Sequence, residues 1–272
     1  MDAMVHPSSH RARRRFGQHW LHDQAVLNRI AAAAELSPAD RVLEIGPGRG
    51  ALTAVLLAAP IAVLHAIELD RDLVEGLREQ FGSDGRFELQ QGDALELPLP
   101  EVEKVVANIP YNITGPLLQR LLGRLDRPAW RHLDRLVLLV QHEVAERLRA
   151  RPGSSAFGAL SVRVQLLAEA ESVCLVPPRC FRPPPRVMSE VIRLRPHPQP
   201  LLLPAEARGV EQLLGLAFAS RRKMLRNTLA SLMPIERLAD LAGTVGIRLD
   251  QRPQELTPGQ WVALARALPQ DP

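Results

Sequence analysis

Lysine is nearly missing from this 272-residue chain: of 34 basic side chains only Lys104 and Lys223 are lysines, and the rest are arginines. A base set of that kind suits planar, bidentate phosphate contacts, although a genomic bias would leave the same mark. Tyrosine is scarcer still, with Tyr111 alone, and aromatic residues make up 4% of the chain. There are two cysteines, Cys174 and Cys180, in a proline-rich stretch and without a partner pair at metal-ligand spacing. They are expected to be reduced thiols, which argues against a disulfide scaffold and a zinc site. No apolar run approaches the ~18 residues a membrane span needs, and no apolar core follows the N-terminal charges as in a signal peptide. The expectation is a soluble cytoplasmic protein without a membrane partner, and nothing in the pattern demands more than a monomer.

What is present is ordinary for a globular protein: 46% hydrophobic and 24% charged residues, in a length that allows one large domain or one plus a small appendage. The net charge is +4 and the estimated pI 9.8. Arg11, Arg13, Arg14 and Arg15 lead directly into Phe16-Gly17-Gln18-His19-Trp20-Leu21. Aromatics beside clustered arginines make a better nucleic-acid edge than a bare basic tail, for which a solvated surface is the simpler account. Apolar positions at helical spacing then predict a helix over 23–34.

Arg41–Ile45 reads as a strand, Gly46-Pro47-Gly48-Arg49-Gly50 as the turn into a helix at 51–59, and Ile61–Ile67 as the next strand. Glycines there let the backbone approach a ligand, and the helix start supplies free N–H groups. Glu68 follows Gly46 by 22 positions, the distance at which a βαβ unit places an acid on ribose hydroxyls. A third strand, Phe87–Gln91, ends in Gly92-Asp93-Ala94. The pattern indicates a nucleotide-like cofactor. The G-P-G-R-G spacing departs from G-x-G-x-x-G, a second acid stands ready for an adenine amino group, and no further phosphate-binding feature follows. These details favour an adenosyl sulfonium over a dinucleotide. A helix cap at Asp93 and a surface charge at Glu68 are the simpler alternatives.

A fourth strand, Val105-Val106-Ala107, runs into Asn108-Ile109-Pro110-Tyr111. Pro110 cannot continue a ladder and disfavours helix at the residue before it, so the chain must turn. An amide, two nearby carbonyls and one aromatic ring are then displayed together, a set that can grip a planar amino-bearing ring. Helices are expected at 115–126 and 159–168, strands at 136–140, 172–175 and 187–194, and an exposed basic loop at 147–158. His142-Glu143 opens like a zinc-protease motif, but Glu146 stands where the second His is required, so no metal is expected. Arg195–Pro204 reads as a linker. Beyond it only helical periodicity remains, with helices expected near 206–219, 223–232, 235–244 and 258–268. Arg221, Arg222, Lys223 and Arg226 form a basic cluster suited to phosphate contact or to solvation.

Together these motifs resemble the ribosomal RNA adenine N6-dimethyltransferases, over nearly the whole chain. The resemblance rests on Phe16-Gly17-Gln18, Glu44–Gly48, Ile67–Asp70, Gly92–Ala94, Asn108–Ile113, Glu143–Arg147, Phe181–Leu194 and Arg221–Asn227. Within that family it points to members that dimethylate two adjacent adenosines in the 3′-terminal hairpin of 16S rRNA in the small ribosomal subunit. It implies a Rossmann-like α/β methyltransferase sheet over residues 16–196, a basic flexible arm at 1–15, and a helical RNA- or ribosome-contacting domain at 205–272. It implies S-adenosylmethionine as cofactor, held by His19, Leu21, Gly46, Gly48, Glu68, Asp93 and Asn108. It further implies that Asn108, Pro110 and Tyr111 carry catalysis and that Arg13, Arg14, Arg15, Arg221, Arg222, Lys223 and Arg226 meet RNA. Two positions depart from the family pattern: His19-Trp20 replaces Asn-Phe, and Met224 replaces a small hydroxyl residue. Three other readings stay open, namely a 23S rRNA adenine methyltransferase of the antibiotic-resistance type, a nicotinamide dehydrogenase and a non-catalytic assembly factor.

Overall fold

The computed structural model describes residues 19–128 and 132–269. The chain divides into two compact units. One comprises residues up to 118, 132–142 and 172–194; the other comprises 119–131, 143–171 and 195 onward. The sequence suggests a contiguous division at the 195–204 linker, whereas the second unit also draws in two earlier stretches.

The first unit begins with a two-residue strand, β1 (Trp20–Leu21), and α1 (Gln24–Ala34), capped by Asp23, whose Oδ1 accepts from Val26 N at 3.0 Å. Then follow β2 (Arg41–Ile45), α2 (Ala51–Ala58), β3 (Val63–Glu68), α3 (Arg71–Phe81), β4 (Phe87–Gln91) and β5 (Lys104–Asn108). A 3₁₀ turn over Tyr111–Ile113 leads into α4 (Thr114–Leu122). Gly123, at φ +80°, ends that helix four residues earlier than periodicity suggests. A small hairpin of β6 (Gly123–Arg124) and β7 (Arg127–Pro128) occupies the remainder. After it come β8 (Arg135–Gln141), α5 (His142–Arg149), α6 (Ala159–Leu167), β9 (Ala168–Val176), β10 (Phe181–Arg182) and β11 (Ser189–Pro196).

The main sheet has seven strands in the order β4-β3-β2-β5-β8-β11-β9. Neighbours from β4 to β8 are parallel, and β11 runs antiparallel to β8. The central strands β2, β5 and β8 are buried along nearly their whole length, as strands covered on both faces must be. The chain leaves β2 toward β3 on one side and later returns to β5 on the other. That reversal opens a crevice at the carboxyl ends of β2 and β5, where open α/β sheets bind ligands. Gly46 and Asn108 sit at those two ends.

The second unit is helical where sequence periodicity is helical. It holds α7 (Pro204–Phe218), α8 (Leu225–Thr228), α9 (Ile235–Thr244) and α10 (Pro258–Ala267). α7 and α10 approach closely at Gly209, where an added Cβ would meet Ala265 Cβ at 3.3 Å. Trp261, fully buried, fills the core beside Leu213, Leu214 and Phe157. The helix expected over 223–232 shrinks to α8. The Leu225 and Arg226 N–H groups, which open that helix and have no acceptor within it, donate to Gln251 O and Leu249 O, both at 2.9 Å.

Candidate active site

The crevice is a partly open cleft. Its walls are His19 and Trp20, the glycine turn, Ile67–Leu69, Gly92–Ala94 and the Asn108–Ile113 turn. Every stretch singled out as chemical between Gly46 and Ile113 therefore reaches one cavity, because parallel strands end at the same side of the sheet.

The glycine turn is built for close approach. Gly46 (φ +70°) and Gly48 (φ +60°) occupy left-handed conformations, and a Cβ on Gly48 would lie 3.0 Å from Trp20 Cδ1. Glu68, at the end of β3, is buried; its Oε2 accepts from Gly48 N at 2.9 Å and its Oε1 from Asp70 N at 2.8 Å. Burial raises its pKa, while the backbone donors act against that rise. A carboxylate has about four lone-pair sites, so the acid keeps capacity to accept from a ligand hydroxyl. Asp93 caps a turn, its Oδ1 accepting from Leu95 N at 2.8 Å, and lines the cleft as well. The cap and the site are the same residue.

Asn108 Nδ2 donates to the His19 carbonyl at 3.0 Å, so Oδ1 is the amide atom left to accept. Pro110 O accepts from Ile113 N at 3.1 Å within the 3₁₀ turn. Both Ile109 and Pro110 line the cleft. Tyr111 is half-buried. Its hydroxyl lies 2.6 Å from Ser189 Oγ, and its ring is stacked on the His19 imidazole with centroids 5.6 Å apart at 26°. Burial raises the phenol pKa, the Ser189 hydrogen bond opposing it.

His19 also places Nδ1 2.7 Å from Pro183 O. It thereby joins Asn108, Tyr111 and the proline-rich loop, a role richer than the cofactor contact expected of it. Leu21 has a side chain that is 5% exposed and packs in the core and a backbone that pairs with Phe181, and it lines a second, smaller cavity with Trp20, Gly46 and Gly48. Successive residues of a strand face opposite sides, so the Trp20 side chain lines the cleft while that of Leu21 turns to the core. Arg49 lies over the Trp20 ring, 4.0 Å from its centroid. Ser189 and Glu44 lie within motifs of the resemblance, which assigns them no role; Glu44 is buried and accepts from Thr53 Oγ1 at 2.7 Å.

Arg221, Arg222, Lys223 and Arg226 are all exposed. Arg221 differs, donating through Nη2 to the carbonyls of Ser155 (2.9 Å) and Phe157 (2.6 Å). Arg13, Arg14 and Arg15 lie outside the described residues, as do Phe16–Gln18. His142 Nδ1 meets Glu190 Oε2 at 2.8 Å, and no cluster of metal-ligating side chains occurs among the described residues. Both cysteines are free and buried.

A family model described as ribosomal RNA adenine dimethylase matches residues 9–270. The chain belongs to that family. It is 65% identical over 267 residues to the ribosomal RNA small subunit methyltransferase A of Parasynechococcus marenigrum (strain WH8102), covering 96% of this chain and 88% of the relative. The enzyme of the same name from Prochlorococcus marinus (strain MIT 9303) is 60% identical, over 96% of this chain and 95% of its own. Among solved structures, a dimethyladenosine transferase from Plasmodium falciparum superposes with a TM-score of 0.79 at 28% identity, covering 90% of this chain and 96% of that one. The 23S rRNA methyltransferase ErmE gives 0.75 at 30% identity, covering 92% and 99%.

The protein is an S-adenosylmethionine-dependent methyltransferase of ribosomal RNA adenine, with a Rossmann-like sheet and a helical C-terminal region. The dehydrogenase reading falls with that result. The donor set suits this cofactor: Glu68 retains acceptor capacity for a ligand hydroxyl, Asp93 for an exocyclic amine, and the glycine turn leaves room for a chain of atoms passing close to the backbone.

Proposed function

We propose that this enzyme dimethylates two adjacent adenosines at N6 in the 3′-terminal hairpin of 16S rRNA, within the small ribosomal subunit, as a cytoplasmic monomer that also takes part in subunit biogenesis. One contrast carries the choice of target. Relatives named for the small subunit are 60–65% identical over 96–97% of the chain, whereas the 23S enzyme is 30% identical over 92%.

Glu68 would hold the ribose hydroxyls of the cofactor, Asp93 its adenine, and Gly46 and Gly48 would lie along its amino-acid portion. When bound, S-adenosylmethionine supplies a methyl group already activated by a sulfonium, so the chain need not generate an electrophile. An adenine N6 is a poor nucleophile because its lone pair is delocalised into the ring. Asn108 Oδ1 and the carbonyl of Ile109 or Pro110 would accept its two hydrogens, favouring a pyramidal nitrogen with its lone pair free. Neither acceptor is a strong base, so alignment is what the chain contributes. The base must leave the RNA stack to reach this turn, and stacking on Tyr111 returns roughly 1–3 kcal/mol of that cost. After one transfer N6 retains a hydrogen, so the same two acceptors can present it again. Arg222, Lys223 and Arg226, with the N-terminal arginines, would meet RNA phosphates, and affinity would fall as salt rises.

The deciding experiment is labelled-methyl transfer to unmethylated small and large subunits, followed by digestion to nucleosides. Dimethyladenosine from small subunits alone is expected, and label in large subunits would refute the target. Asn108→Ala should lower turnover at least about 100-fold with an unchanged melting temperature. Near-normal turnover by that folded variant would remove Asn108 from the chemistry.

A further inference from the structure

Tyr111 stands outside the β ladder, in a 3₁₀ turn beyond the end of β5, where nothing in the main chain fixes its ring. Yet the tip of that ring is held. Its hydroxyl and Ser189 Oγ are 2.6 Å apart, at the short end of the range for O–H···O bonds. Ser189 is fully buried and opens β11, in register with Gln141 at the end of β8.

The neighbours of Ser189 make it a fixed point. Glu190, also fully buried, holds the His142 ring through Oε2 at 2.8 Å, and His142 N donates to Met188 O at 3.0 Å. Residues on both sides of Ser189 are thus tied to the point where β8 passes into α5. A serine hydroxyl can donate and accept, so it satisfies a buried phenol without a charge. His19 covers the ring at 26° to its plane.

We propose that Ser189 is a positioning residue for base capture: by holding the Tyr111 hydroxyl to the rigid start of β11, it sets the plane of the ring on which the extruded adenine stacks. The proposal rests on the stacking role given to Tyr111 above. A ring free to swing about its side-chain torsions would have to be ordered at each capture, and that entropy would be taken from the stacking. With its tip tied, the ring is ordered before RNA arrives.

Ser189→Ala and Tyr111→Phe remove the same bond from opposite ends. Each should lower kcat on unmethylated small subunits about fivefold, the worth of one ordinary hydrogen bond, and leave S-adenosylmethionine affinity within about twofold. The double variant should be no slower than either single one. Multiplying effects in the double variant would overturn the proposal, as would normal turnover in Ser189→Ala when Tyr111→Ala is impaired. Normal turnover in Tyr111→Ala would remove the stacking role itself, and the proposal with it. The chain has one tyrosine, so the NMR signal of tyrosine labelled at its ε carbons reads that ring without overlap in a variant whose remaining spectrum shows it folded. That signal should move in Ser189→Ala, and an unmoved signal would show that the serine does not hold the ring.

Discussion

The two units bury different things. Among the described residues, the polar or charged side chains buried in the sheet unit are Asp40, Glu44, Thr53, Glu68, Asp70, Lys104, Thr114, Arg135, Ser189 and Glu190. In the helical unit only Ser161 is buried. Its ion pairs, such as Glu206–Arg266 and Arg248–Asp250, leave at least one partner substantially exposed. Burying polar groups works against stability unless each is paired, so a unit that does it repeatedly does so for a reason other than folding. In the sheet unit Glu68, Ser189 and Glu44 cluster around the cleft or the turns that shape it. The helical unit keeps an apolar interior and leaves Arg222, Lys223 and Arg226 in water, where they remain available to a polyanion. One unit invests in geometry, the other in surface charge.

The sharpest way to break this contrast is at Glu68. Replacing it by Gln keeps one acceptor for a backbone N–H and loses the carboxylate. S-adenosylmethionine affinity, measured by calorimetry, should fall about 10- to 100-fold, the scale of a charged hydrogen bond. Unchanged affinity would mean that this buried acid serves the turn alone.

Glu44 tests the same idea through pH. Burial pushes its carboxyl up to about 8 from an ordinary 4.5, with the charge of Glu68 adding to the rise and the Thr53 hydroxyl opposing it. The folded chain therefore keeps a proton that the unfolded chain has lost. Stability is fully present below about pH 4.5 and is lost as pH rises toward about 8. Relative to Glu44→Gln, the native chain should lose on the order of a few kcal/mol across that window, read from urea unfolding midpoints. Parallel pH profiles would show that Glu44 is ionised in the fold.

The smallest effects separate neighbours in the helical unit. Arg221→Ala should cost about 1 kcal/mol of stability, because its guanidinium holds the 155–157 loop. Arg222→Ala should leave stability within about 0.5 kcal/mol and reduce the salt slope of RNA binding by about 1. Reversed results would exchange their roles.

Much of the site was legible because it is written in local chemistry. Gly46, Gly48, Glu68, Asp93 and Asn108 each end a strand or form the turn beyond it, and parallel strands bring such ends to one edge. The direction of the Leu21 side chain was not legible in its motif, because a motif fixes residue types and not which face of a two-residue strand each takes. The role of Ser189 was invisible for a different reason: the residue lies 78 positions from Tyr111, and no local pattern signals a partner at that distance. Arg221 looked like its neighbours until the carbonyls of Ser155 and Phe157 were brought beside it.

The sequence by itself determined the alternation of strands and helices, the apolar interiors, the glycine turn and the Asn108–Tyr111 turn. These follow from periodicity and from the backbone limits of glycine and proline, which act over a few residues. Only the tertiary structure decided that His19 bridges Asn108 and Tyr111, that Ser189 holds the phenol, that α8 is four residues long, and that the helical unit takes in 119–131 and 143–171. Those outcomes depend on which donor finds which acceptor after the chain has closed on itself, and chain order does not encode such distances.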